Sequence, residues 1–185
     1  MQVELSTVTK IKLTHLQEMS AFRLDPLTVI LDNFEPGRGK IIIECFGESW
    51  SASWAAMGKR TIAQFFCNCD EHYLAKNLSG ISGDLPDYEK LGDTARQEVC
   101  RLRRESELTK DEARDLFEDA GRFSGAETSH DLDGSAMQAI FGDEWWHSIP
   151  DKPNPDYEYL CRVINAVQAG IREAGLLSQE QEQGQ

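Results

Sequence analysis

The stretch "GKIIIECFGESWSASWAAMG", Gly39 to Gly58, decides the fold. Gly47-Glu48 separates two β-prone runs, and glycine at the first position of a two-residue loop suits a type II′ hairpin turn. Such a turn pairs Phe46 with Ser49, Cys45 with Trp50, Ile43 with Ala52 and Ile41 with Trp54. Side chains directly opposite one another share a side of the sheet. One face therefore gathers Ile41, Ile43, Cys45, Trp50, Ala52 and Trp54. The reverse gathers Ile42, Glu44 and Phe46 with Ser49, Ser51 and Ser53. The expectation is that Trp50 and Trp54 are core, not a stacking platform for a base or a sugar. A slip of one residue would turn the whole apolar set to water.

Upstream, "LTVILDNF" (27–34) is β-branched and apolar, and "EPGRG" after it supplies the Pro and Gly of a turn. With Pro36 to Arg38 as a three-residue loop, Val29 and Leu31 join the apolar face. "TKIKLTHL" alternates, with Ile11 and Leu13 on one side. Downstream the period changes. "RTIAQFFCNCDEHYLAKNL" places Ile62, Phe65, Phe66, Cys69 and Tyr73 at helical spacing, which predicts one amphipathic helix from Thr61 onto the sheet. After a loop at 78–86 the chain reads as helices. "DYEKLGDTARQEVCRLRRESE" is polar, "TKDEARDLFEDAGRF" is capped by Thr109 and closes near Gly121, and "SAMQAIF" is short. The last helix is capped by Asn154, starts at Pro155 and carries the stripe Leu160, Val163, Ile164, Val167 and Ile171. Sheet first and helices after predicts an α+β protein. Its parts are an antiparallel β-meander with a packing helix over 1–78, a mostly helical acidic region over 87–177 in one continuous domain, and a frayed tail at 178–185.

Composition narrows the function. No run approaches the roughly 20 apolar residues of a membrane span, and "MQVELSTVTKIKLTHL" has no secretory pattern. Five cysteines without repeated spacing point to free thiols in a reducing cytoplasm. The net charge is −13, and residues 105–160 hold fifteen Asp/Glu against four Lys/Arg. That field repels phosphates, which argues against direct nucleic-acid binding. It suits a solvated surface, a basic protein partner or mimicry of nucleic acid.

No motif carries catalysis. Cys67, Cys69 and His72 in "CNCDEH" lack the C-x2-4-C pairs of structural zinc, and residues two apart on a helix diverge. Cys69 falls on the predicted core stripe. In "SHDLDGSAMQAIFGDE", aligning Gly134 with the sixth position of a calcium loop puts Ile140 at the twelfth, where a bidentate Glu is required. Asp131 and Asp133 are instead expected to cap the next helix. Phosphate-binding, dinucleotide, nucleophile-elbow and zinc-protease motifs are absent, so no catalytic, cofactor or metal residue is assigned. The basic run "RLRR" (101–104) is expected to answer nearby acids. The segment least explained by folding is "GDEWWHSIPDKPNPDY". Its Trp145 and Trp146 are adjacent and cannot point the same way on a regular element. They follow Asp143 and Glu144, a pattern suited to a protein-binding anchor. The plainer alternative is that they pin the connector to the core.

The runs "KIKLTHLQEMSAFRLDPLTVILDNFEPGRGKIIIECFGESWSASWAAMG", "RTIAQFFCNCDEHYLAKNL" and "DEWWHSIPDKPNPDYEYLCRVI" cover most of the chain and resemble uncharacterised accessory proteins of lambda-like phages and prophages of enteric bacteria. The resemblance implies a bacterial cytoplasm and no catalytic residue. It fits an interaction protein that engages a basic surface of a host defence or nucleic-acid-processing protein through 105–160, with Asp143, Glu144, Trp145 and Trp146 as partner-binding residues. Two other readings stand beside it: a small Mg²⁺-dependent enzyme of nucleotide or nucleic-acid metabolism, and a homo-oligomer paired through a sheet edge or a Trp patch.

Overall fold

The computed structural model describes residues 3, 5–16 and 24–178. The chain divides into two compact units: one formed by residues 1–82 with 155–185, the other by residues 83–154. The architecture is α+β, with an N-terminal antiparallel sheet followed by helices.

In the first unit four strands, β1 (Thr9–Leu13), β2 (Leu27–Glu35), β3 (Arg38–Cys45) and β4 (Glu48–Trp54), form a meander in sequence order. The faces are those the alternation requires. Val29, Leu31, Ile41, Ile43, Cys45, Ala52 and Trp54 are buried, Trp50 is half-buried, and Ser49, Ser51 and Ser53 face water. The register differs from expectation. Ile43 opposes Trp50, Ile41 opposes Ala52 and Gly39 opposes Trp54, because the loop is Phe46–Gly47 and not Gly47–Glu48. Both loop residues have positive φ, +43° and +89°, as a type I′ turn requires. The β2–β3 loop also has two residues, Pro36–Gly37, and is preceded by a bulge between Asn33 and Glu35, so Val29 opposes Ile43 and not Cys45. Each correction shifts pairing by two residues, which leaves every side chain on its original face.

Two helices, not one, follow the sheet: α1 (Ile62–Asn68) and α2 (Glu71–Leu78). Thr61 and Gln64 close a capping box at the start of α1, and Asn33 at the bulge accepts from the Ile62 N–H. Asp70 ends the run. Its carboxylate accepts from the Tyr73 N–H, capping α2 and leaving Cys69 extended. Consequently Cys69 is only half-buried and Tyr73 is exposed, while Cys67 takes the interior position. The final helix, α6 (Pro155–Glu173), buries Leu160, Val163, Ile164, Val167 and Ile171 in the same core as the sheet. The expected grouping of 155–177 with the acidic helical half therefore differs from the observed division. Periodicity identifies an apolar stripe but not the surface that receives it. All but Ser178 of the tail at 178–185 lies outside the described residues.

The second unit has its own core, around Leu91, Val99, Phe123, Met137 and Ile140. It is built from α3 (Tyr88–Arg104), α4 (Lys110–Phe123) and α5 (Gly134–Phe141). A Cβ on Gly92 would stand 2.2 Å from Ser124 Oγ and 3.0 Å from the Ala120 carbonyl, so glycine sets how closely α3 and α4 approach. Two short strands, β5 (Asp84–Pro86) and β6 (Asp151–Pro153), pair at the ends of the unit. The Asn154 N–H donates to the Gly83 carbonyl at 2.9 Å, and the Asp87 N–H to that of Pro150 at 2.7 Å.

Phe46 is 90% exposed in a left-handed conformation that favours Asn or Gly over a bulky residue. Replacing Phe46 by Asn should raise the unfolding free energy by about 0.5–1 kcal/mol, because Asn-Gly is the preferred I′ pair. Chemical denaturation checks this. A loss of stability would show that the ring is held by contacts the exposed turn does not reveal.

Candidate interaction surface

The second unit is the acidic one: residues 83–154 contain eighteen Asp/Glu against nine Lys/Arg. Many of its carboxylates are tied to helix starts. Asp87 accepts from the Lys90 N–H at the start of α3, and Glu112 forms a capping box with Thr109 at the start of α4. Asp133 accepts from Ser135 and Ala136 at the start of α5. Asp131 does not share that task, as had been expected. It closes the preceding turn, accepting from the Glu127 and Thr128 N–H groups and the Thr128 hydroxyl.

These bonds hold the carboxyls below their ordinary range. For Asp87 burial pushes upward, but Lys90 outweighs it through hydrogen bonds and charge. For Glu112 the Thr109 hydroxyl dominates, for Asp131 the Thr128 N–H and hydroxyl, and for Asp133 the Ser135 hydroxyl. Arg101 does the same for Glu98. "RLRR" only partly answers acids, contrary to expectation. Arg101 pairs with Glu98 and Glu105, whereas Arg103 and Arg104 donate to the carbonyls of Leu108 and Cys100.

The Trp pair lies just beyond α5. Gly142, at φ +85°, ends that helix by donating to the Gln138 carbonyl. Gln138 then holds the Asp143 carboxylate at 2.5 Å. A 3-10 turn over Trp145–Ser148 follows, closed by the His147 N–H on the Glu144 carbonyl. The turn separates the two indoles. Trp145 packs against the second core, and Trp146 is 52% exposed, edge-on to Trp145 at 6.0 Å and beside His147 at 5.8 Å. Asp143 and Glu144 are exposed next to it. The four residues singled out in the sequence are therefore contiguous in space, with Trp145 as pin and Trp146 as the outward group. The chain belongs to the phage family Phage_phiTE_072. The family model matches residues 1–173. No curated protein and no solved structure matches the chain.

Other candidate chemistry does not assemble. Among the described residues no group of three or more His, Cys, Asp or Glu side chains could hold a metal ion. Burial pushes the thiols of Cys67, Cys69 and Cys161 up, which makes them poor nucleophiles at neutral pH. Among the described residues no helix is long and apolar enough to cross a membrane. The feature that sequence reasoning missed is Phe117, 41% exposed on α4 with the Arg96 guanidinium over its ring at 5.2 Å. Its position off the Ala113, Leu116, Ala120 and Phe123 stripe was the available signal.

Truncating Trp146 to Ala should leave stability within about 0.5 kcal/mol of the parent, as for most exposed sites. Truncating the half-buried Trp145 should cost about 1–3 kcal/mol through lost packing. Equal losses on denaturant titration would contradict this division of roles. A pH effect follows from the depressed carboxyls. The unfolded chain binds their protons at higher pH than the folded one, so their stabilisation is complete above the ordinary value near 3.8–4.5 and fades as pH falls through the folded values. Hydrogen exchange below pH 4.5 should therefore show residues 83–154 opening before the sheet unit. The reverse order would overturn the assignment.

Proposed function

We propose that this phage-family protein is a non-enzymatic interaction protein of a lambda-like phage or prophage of enteric bacteria, acting in the host cytoplasm. It binds and inhibits a basic host protein of anti-phage defence or nucleic-acid processing. Nucleic-acid mimicry is one form that the inhibition can take, since exposed carboxylates present a partner with phosphate-like charge. The observation that carries the reading is Trp146, a large aromatic left half-exposed beside Asp143 and Glu144 on a turn fixed by Trp145 and Gln138. Such residues anchor interfaces because they bury much area for little lost conformational freedom. Elsewhere in the same unit the acids of α4, including Asp111, Glu112, Asp115 and Glu118, stay exposed, where they steer a basic partner. The Mg²⁺-dependent enzyme finds no supporting cluster among the described residues.

The test is affinity capture from bacterial host lysate at low salt, with identification of the retained protein. The parent chain should retain a basic partner that is released as salt is raised. Trp146→Ala and the double variant Asp143→Lys/Glu144→Lys should lose it. No partner at low salt, or one held equally by both variants, would overturn the proposal.

A further inference from the structure

Between α3 and α4 lies a groove of about 520 Å³ whose character opposes that of the unit around it. Its floor is apolar, from Val99, Ala113 and Phe117, and its rim carries four cations, Arg103, Arg104, Lys110 and Arg114, against one acid, Glu118. In a chain of net charge −13 these cations had many carboxylates to choose from. Yet among the described residues none of Arg103, Arg104 and Lys110 forms an ion pair, and Arg114 meets its acids only loosely, at 3.6 and 3.5 Å. Cations gathered around exposed apolar surface select an occupant with the opposite pattern: an aromatic or aliphatic group flanked by carboxylates.

The same unit displays such a group. Trp146 projects from its turn two residues after Glu144, with Trp145 between them. The two features also lie close together. Arg104 lines this groove and, on its other side, a second depression shared with Phe141 and Ser148, the residues that bracket the Trp turn. We propose that the groove receives the Asp143–Trp146 segment of a second copy of this chain. Trp146 seats on Phe117 while Asp143 and Glu144 meet Arg103, Arg104 and Lys110. In the proposed pair each copy gives its knob to the other's groove about a two-fold axis, so the pair closes as a dimer. The pairing uses the Trp146 already assigned to host binding, so the dimer holds that anchor covered until a partner displaces it.

Sedimentation velocity at low salt, at concentrations up to about 100 µM, measures the association. The expected result is a dimer that dissociates as salt rises and weakens about 1,000-fold with Trp146→Ala, about 30-fold for each of the two aromatic anchors lost. Arg103→Glu/Arg104→Glu should be monomeric, and so should Asp143→Lys/Glu144→Lys. Mixing the two variants should restore the dimer, because one groove then meets its native acids while in the other both sets of charges are reversed. The exposed Cys100 in the groove provides a second readout: maleimide should modify it more slowly in the dimer than in either variant. A parent chain that stays monomeric, even if its groove takes an added acidic Trp peptide, overturns the proposal. So does a dimer that survives both reversals. The arginine variants separate this inference from the proposed function: if they abolish the dimer and still capture the host protein, the two surfaces are distinct in use.

Discussion

The first unit turns on one buried amide. Gln168 of α6 donates from its Nε2 to the carbonyls of both Phe66 and Cys69, at 2.9 Å each. These are carbonyls that α1, cut short by Asp70, cannot satisfy within itself. Arg172, one turn further along α6, donates to the Cys67 carbonyl, and the Cys67 thiol returns a bond to the Gln168 carbonyl. Left without partners in the interior, such groups cost about 1–3 kcal/mol apiece. The break between α1 and α2 and the docking of α6 are therefore one arrangement. It explains why a glutamine lies within an otherwise apolar stripe, and why the last helix folds with the first strands.

The sheet shows which part of a structure a linear pattern encodes. Side-chain parity along a strand has a period of two, so every apolar residue of 27–54 could be assigned a face from alternation. Register was not legible in the same way. It depends on which two residues turn, and Phe46 takes a positive φ that its side chain gives no reason to expect. Because the true pairings differ by two, parity survived the error. Helices lack this protection. Reading 61–78 as one helix missed that Asp70 competes as a cap, and the displaced phase moved Cys69 off the core and Cys67 onto it.

At the candidate surface the division was similar. Adjacency alone dictates that Trp145 and Trp146 diverge, and the acids before them are plain in the sequence. Which indole turns outward is set by the 3-10 turn and by the packing of Trp145 against the second core, a contact between elements that no local pattern reveals. The groove was less legible still. Its cations come from the end of one helix and the start of the next, and each looks like an ordinary partner for a neighbouring acid until the pairing is known. Of the groove's four, only Arg114 meets acids, Asp111 and Asp115.

The ribbon of β5 and β6 has a consequence for how this chain can change. It brings the entry and exit of residues 83–154 to hydrogen-bonding distance, Gly83 to Asn154, with Asp84 opposite Pro153. In the order of the chain, residues 83–154 are an insertion between α2 and α6. Any replacement whose ends meet at the spacing of a strand pair, about 4.8 Å, could fill that slot without disturbing Gln168 or the core it serves. The chain is thus organised as a sheet unit interrupted by an inserted unit whose two ends are paired. A replacement of the inserted unit as a whole would leave the sequence of the sheet unit, Gln168 included, unchanged.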